Sequence, residues 1–292
     1  MDIYKIKEKV TKEADKIIVH FKYQMKLRKA LKISDSQSIF DNSENPKIAI
    51  HFHVFYTELI EEIYNYVAHI NKNFTLFITV VNDEDLKFVQ HFFENKTYKF
   101  KLNIIKVENK GRDIYPFYLA LHNCYSEYDY IAHFHTKKSL HTDFGEVWRK
   151  YLCDNILGSN YLFDNIIGYF ENNRTAGFLV PPAVPNEQVV NAYYAFKDNK
   201  VSYKDKIEIA LSKFGIPLDE LYAHKKNKDF PCGNMFIARI DAIKQFFSTE
   251  LKDDDFPKEA GQLTDTLQHY VELMWKYIVD YNGYEYLEVL RK

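Results

Sequence analysis

The 292 residues carry 39 Lys and Arg against 41 Asp and Glu, a formal charge of −2, so no global positive field recruits nucleic acid. Hydrophobic residues at 46% and charged residues at 27% exclude a disordered chain, and no stretch nears the roughly 20 apolar residues of a spanning helix. With only nine glycines, a glycine-rich phosphate loop is a poor candidate for the main binding device, and a phosphate site must rely on side chains.

Residues 1–32 hold ten Lys/Arg and four Asp/Glu, with Ile6, Val10, Ala14, Ile17, Ile18 and Phe21 at helical spacing. This predicts a basic amphipathic helix whose apolar stripe packs on the domain; the second use of such a helix is attraction to anionic lipid. The first ten residues lack the continuous apolar core of a secretory leader. Residues 34–46 read as a linker, separating residues 1–45 from a main domain over 46–292. From there strands at 47–55, 74–81, 102–107 and 130–135 alternate with helices at 58–70, 85–95 and 115–124. Continuous apolar strands separated by helices predict an α/β fold with a mostly parallel central sheet covered on both faces. Helices at 146–157 and 161–171, a strand at 176–180, a helical insertion over 186–228, a strand-like stretch at 232–239, a helix at 265–280 and a strand at 284–290 complete the chain. The three cysteines, Cys124, Cys153 and Cys232, show no CxxC spacing, which suits a reducing cytoplasm.

Polar residues collect where successive strands end. Asn82 and Asp83 follow the second, Asn109, Lys110, Gly111, Arg112 and Asp113 the third, and His135, Thr136, Lys137 and Lys138 the fourth. Taken singly, each has a structural use: a turn at Asn109-Lys110-Gly111, a helix cap at Asp113, a solvated loop at the lysines. Together they bring cationic and hydrogen-bonding groups to the carboxyl edge of a parallel sheet, where such folds bind ligands. Arg112, His135, Lys137 and Lys138 suit a pyrophosphate.

The segments Asn109-Lys-Gly-Arg-Asp-Ile-Tyr-Pro116, His133-Phe-His-Thr-Lys-Lys-Ser139 and Gly233-Asn-Met-Phe-Ile-Ala-Arg239 resemble those of the rhamnan synthesis protein F family, over residues 47–290. The order of elements resembles a GT-A nucleotide-sugar glycosyltransferase. That resemblance implies a nucleotide-binding half at 46–140 and an acceptor half at 141–292, with transfer of a sugar, rhamnose from dTDP-rhamnose, onto a growing cell-surface polysaccharide. The partners it implies are the nucleotide-sugar donor and a glycan or lipid-linked glycan, met at the inner face of the cell membrane with residues 1–32 as a peripheral contact. His135-Thr136-Lys137 stands where the GT-A type carries an Asp-x-Asp metal motif, so neither Mg nor Mn is expected, and Lys137 is the first choice to neutralise the leaving diphosphate. Asn82 and Asp83 then fall near the nucleoside, Asn109, Arg112 and Asp113 near the ribose and diphosphate, and His135 and Lys138 at the diphosphate. Asn234 and Arg239 fall near the acceptor, with a pairing to an acid inside the fold as the other use of Arg239. An inverting transfer needs a base for the acceptor hydroxyl. The resemblance puts Asp265 there, with a helix cap completed by Gln268 as its other use, and His269 and Glu272 as second choices.

Two histidine pairs allow different chemistry. In His51-x-His53 and His133-x-His135 the alternate positions share a strand face, so four imidazoles with Asp113 or Asp265 compose a candidate zinc-dependent hydrolase, opposed by the cations Lys137 and Lys138 alongside. A non-catalytic glycan-binding module is the third reading, its platform drawn from the 23 tyrosines and 23 phenylalanines.

Overall fold

The mainly apolar runs of β2 (Ile48–His53), β3 (Phe74–Val80) and β5 (Tyr130–His135) demand cover on both faces, and every residue of the three is buried. A computed structural model of the protein describes residues 3–37, 45–136, 144–197, 204–219, 229–262 and 265–292. Around the three central strands lie β1 (Leu31–Ile33), β4 (Lys101–Lys106), β6 (Ala176–Val180), β7 (Phe236–Arg239) and β8 (Glu285–Arg291), in the order β1-β8-β6-β7-β5-β2-β3-β4. All neighbours are parallel except β7, which runs antiparallel to both β5 and β6. The fold is therefore mixed α/β with a mostly parallel sheet, as the alternation of elements predicts.

Helices cover the sheet in two layers. On one face α4 (Ile114–Leu121), α8 (Lys204–Lys213), α9 (Ile240–Ser248) and α10 (Leu267–Tyr281) bury Phe117, Leu211, Phe246 and Trp275 against Ala49, Ile131, Phe178 and Phe236. On the other α2 (Ile60–Ala68), α3 (Asp83–Glu94), α5 (Gly145–Leu157) and α6 (Asn160–Asn172) bury Ile63, Val89, Leu152 and Ile166 against Ile50, Ile78, Phe134 and Leu179. Strand alternation decides what faces which layer. His51, His53, Thr79, His133 and His135 share the α4 side with Ala49 and Ile131, and Phe117 stacks on the His133 ring at 4.3 Å between centroids.

The reversed strand positions the site. A parallel strand brings its last residues to the carboxyl edge, whereas β7 brings its first, so Gly233 and Asn234 arrive beside the ends of β2 and β5. Arg239 ends the same strand opposite Tyr130, the first residue of β5.

Three features depart from the sequence reading. Just before the expected linker, where the helix expected over 1–32 would end, the chain forms β1, which pairs in parallel with β8 and buries Ile33, so the N-terminal segment is stitched into the sheet. A helix, α9, follows β7 directly. In α1 (Ile3–Lys29) the packed face is Val19 and Tyr23, set against Val189, Val190 and Tyr193 of α7 (Glu187–Lys197). Ile17, Ile18 and Phe21 of the predicted packing stripe face solvent instead, at 70%, 52% and 64% exposure.

Candidate active site

At the carboxyl edge the structure builds one continuous buried polar network. Thr79 Oγ1 lies 3.0 Å from both His51 Nε2 and His53 Nδ1. His51 Nδ1 lies 3.0 Å from His133 Nδ1, and His133 Nε2 lies 3.0 Å from Asp113 Oδ2. Asn234 Nδ2 donates to the same carboxylate oxygen at 2.6 Å, and its Oδ1 accepts from the Trp275 indole at 2.9 Å. His135 Nε2 donates to the Gly233 carbonyl at 2.9 Å and sits 3.9 Å from Asp113. Buried polar groups are tolerable when they satisfy one another in this way.

Strand pairing supplies the geometry. His51 is the register partner of His133 and His53 of His135 across β2 and β5, and Thr79 partners His53 across β2 and β3. Burial works to raise the Asp113 carboxyl, but His135 with the hydrogen bonds from His133 and Asn234 overcomes it and holds the group well below the ordinary carboxylate range. Burial and the neighbouring imidazoles drive His51 well below the usual histidine value; burial, with His135 and His133 adding, takes His53 down to about 3.

A second layer closes over this edge. Lys110 bridges to Lys258, the Glu259 N–H donates to the Asn109 carbonyl at 3.3 Å, and Glu259 Oε1 accepts from the Arg112 N–H at 3.2 Å. Gln268 of α10 donates to the same oxygen at 3.0 Å, and the Arg112 guanidinium donates to the Gln262 carbonyl. Gly111 makes the close approach possible. At φ 65, a Cβ there would meet the Tyr115 Cβ at 2.5 Å and Phe256 at 2.7 Å. Among the described residues the non-glycine positions with left-handed φ are Arg112 (53), Asn234 (52) and Asp265 (70), the first two of them in these two layers. Strained backbone concentrates where a fold holds functional groups.

Asp113, His135, Asn234 and Arg112 are thus brought together, with Asn109 at the bridged loop. Asn234, expected at the acceptor, is 1% exposed and has both ends of its amide engaged within the network. Arg239 is misplaced by the sequence reading. It lies at the amino edge, about 16 Å from the end of β5, donating to the Phe170 and Ala176 carbonyls and covering the Tyr130 ring. Asn82 caps α3 by accepting from the Asp85 N–H, and Asp83 pairs with Lys106 at 2.7 Å, both at the exposed end of β3. Lys137 and Lys138 lie outside the described residues. Asp265 is not the cap weighed for it, since α10 starts at Leu267 with Thr266 as N-cap. The Thr266 hydroxyl bonds His269 Nδ1, and Glu272 is half-buried on the next turn.

The zinc reading fails on the rings themselves. Both nitrogens of His51 and both of His133 are consumed by hydrogen bonds, and no group of three or more ligating side chains poised for a metal occurs among the described residues. Sequence reasoning missed Thr79, Trp275 and Glu259, and weighed Gln268 only as part of a helix cap. Thr79 alone left a signal, as one of two hydroxyls in an otherwise apolar strand and the one nearer its carboxyl end.

A mostly parallel sheet with its polar groups gathered at the carboxyl edge places the candidate site where such α/β folds bind ligands. The chain belongs to the rhamnan synthesis protein F family, a glycosyltransferase family, whose model matches residues 3–284. That match begins at residue 3 rather than near 47, so α1 and β1 are part of the family domain. The uncharacterized protein WxcX of Xanthomonas campestris pv. campestris, from two strains, is 24% identical over 241 residues, covering 82% of this chain and 32% of WxcX. The chain therefore spans about a third of the length of these curated relatives. The crystal structure of S. aureus TarS 1–349 aligns over 79% of this chain and 55% of that one, with a TM-score of 0.40 and 13% identity.

Proposed function

We propose that this chain is a GT-A-type, inverting, metal-independent transferase domain that moves a sugar, rhamnose from dTDP-rhamnose, onto a growing cell-surface polysaccharide. The observation that carries the reading is the polar edge built by β2, β5, β7 and the Arg112–Asp113 turn in a chain of this family. Lys137, with Lys138 and His135, neutralises the departing diphosphate in place of a metal. Arg112, tied to Glu259 and Gln262, fastens the acceptor segment over the donor edge. Asp265, standing outside the first turn of α10, takes the acceptor proton.

The acceptor in this reading is a glycan carried on lipid. Ile17, Ile18, Phe21 and Met25 form an exposed apolar stripe on α1 beside Lys16, Lys22 and Lys29, the composition of a helix that lies on an anionic membrane. No helix among the described residues is long and apolar enough to cross one.

Calorimetric titration with dTDP, UDP and GDP, each with and without Mg²⁺ or Mn²⁺, tests the proposal. Binding of one diphosphate without metal, weakened at least tenfold in Lys137→Ala, is the expected result, tenfold being about 1.4 kcal/mol. Binding only with metal overturns metal independence, and no binding of any nucleotide overturns the transferase reading.

A further inference from the structure

Trp275 gives the buried network a direction. Its indole N–H can only donate, so Asn234 Oδ1 must face it, and Asn234 Nδ2 must donate to Asp113 Oδ2. With Asp113 ionised, His133 Nε2–H donates to that same oxygen. Carrying one proton, His133 then offers Nδ1 as a lone pair, which accepts the Nδ1–H of His51. His51 Nε2 in turn accepts the Thr79 hydroxyl proton, and Thr79 Oγ1 accepts the Nδ1–H of His53. The chain of donors ends on His53 Nε2, a bare lone pair on the last residue of β2.

One added proton reverses every link. Taken up at His53 Nε2, it releases the Nδ1 proton to Thr79 Oγ1, whose own proton passes to His51 Nε2, whose Nδ1 proton passes to His133 Nδ1. His53 and His51 finish neutral in the opposite tautomer, and His133 finishes as an imidazolium against the Asp113 carboxylate. The charge rests there because His133 is the one ring of the three bonded to a carboxylate, while burial disfavours charge on His51 and His53. The titratable groups facing these rings, among the described residues, are Asp113 before α4 and His135 of β5. Phe117 of α4 and Phe236 of β7 pack against them as neutral aromatics.

We infer that His53, Thr79, His51 and His133 form a proton relay that couples binding of a nucleoside diphosphate to uptake of one proton. The relay turns His53 Nε2 from an acceptor into a donor for a diphosphate oxygen and stores the charge beside Asp113. His53 is the register partner of His135, which places it at the same edge as the residues assigned to the diphosphate. The identity of the anion rests on the transferase reading; the relay rests on the hydrogen bonds alone.

Two measurements on the whole chain separate these. In ¹⁵N-histidine NMR of the protein without ligand, His51 and His53 carry Nδ1–H and His133 carries Nε2–H at high pH. On acidification His51 and His53 switch to Nε2–H in one step, together with protonation of His133. In Thr79→Val the His53 switch is lost, and Thr79→Ser restores it. Independent titration of the three rings, or an Nε2–H on His53 at high pH, overturns the relay. Calorimetry with dTDP and UDP in buffers of different ionisation enthalpy then reads about one proton taken up per nucleotide by wild type and Thr79→Ser, and near none by Thr79→Val. Binding without uptake, with the tautomer switch intact, overturns the coupling. Absence of nucleotide binding overturns both the transferase reading and the coupling, and leaves the NMR to decide the relay.

Discussion

Asn234 holds a left-handed backbone with its amide bonded at both ends, one end to a donor that accepts nothing and the other to a buried carboxylate. Asn234→Ala removes both bonds, leaves the Trp275 N–H without its acceptor and takes one of two strong donors from Asp113. Urea unfolding is expected to show a loss of about 3 kcal/mol. Gly111 makes a sharper case. A Cβ there must displace either Tyr115 at 2.5 Å or Phe256 at 2.7 Å, and φ 65 adds backbone strain. Gly111→Ala is expected to lose at least about 2 kcal/mol, or to lift the segment around Phe256 off the edge and expose it to limited proteolysis. These residues also mark how far the sequence could be read. Asp113 and the histidine pairs stood out as polar residues at strand ends, but what they do depends on Trp275 and Asn234, which lie far along the chain and meet them only in the fold. A buried asparagine looks the same in sequence as one that reaches for a ligand.

At the level of elements, most boundaries follow from local pattern, because an apolar run between helices is buried whatever its partners. Four features escaped, the first of them α9, for which no element was expected between 239 and 265. The direction of β7 depends on which edge the chain returns from after α7 and α8, and nothing in residues 236–239 records that. β1 has three residues and is defined by its pairing with β8. The helix α1 carries two apolar faces, and spacing alone cannot choose between Ile17, Ile18 and Phe21 on one and Val19 and Tyr23 on the other. The face left in solvent gives a test of the membrane reading. Ile18→Glu with Phe21→Glu puts two charges on exposed positions, so the melting temperature is expected to stay within about 2 °C of wild type. Co-sedimentation with vesicles rich in phosphatidylglycerol is expected to fall at least about tenfold, because each side chain contributes roughly 1.5 kcal/mol or more when buried in the interface. Unchanged sedimentation removes α1 as the membrane contact.

Over the whole molecule, the network ties stability to pH in a direction fixed by its histidines. His51 and His53 have folded values far below the unfolded 6.5, His53 at about 3, so the unfolded chain binds protons as pH falls through 6.5 while the native state does not. Their contribution is fully present above that pH and is lost progressively below it, at about 1.4 kcal/mol per unit for each ring. Between pH 7.5 and 5 the pair is expected to cost about 4 kcal/mol. A proton carried by the relay does not relieve this, because it comes to rest on His133 and leaves the other two rings neutral. Asp113 acts in a separate window. Its folded value lies below the unfolded carboxylate, so the stability it lends persists above about pH 4 and is lost only below it. Urea unfolding of wild type and His53→Gln at pH 7.5 and 5.0 isolates the term, since the variant retains one buried imidazole of the pair. Whatever its stability at pH 7.5, the variant's loss on going to pH 5 is expected to be about 2 kcal/mol smaller than that of wild type. Equal losses in the two proteins mean that His53 is protonated in the folded state at pH 5, which its burial between β3 and β5 opposes.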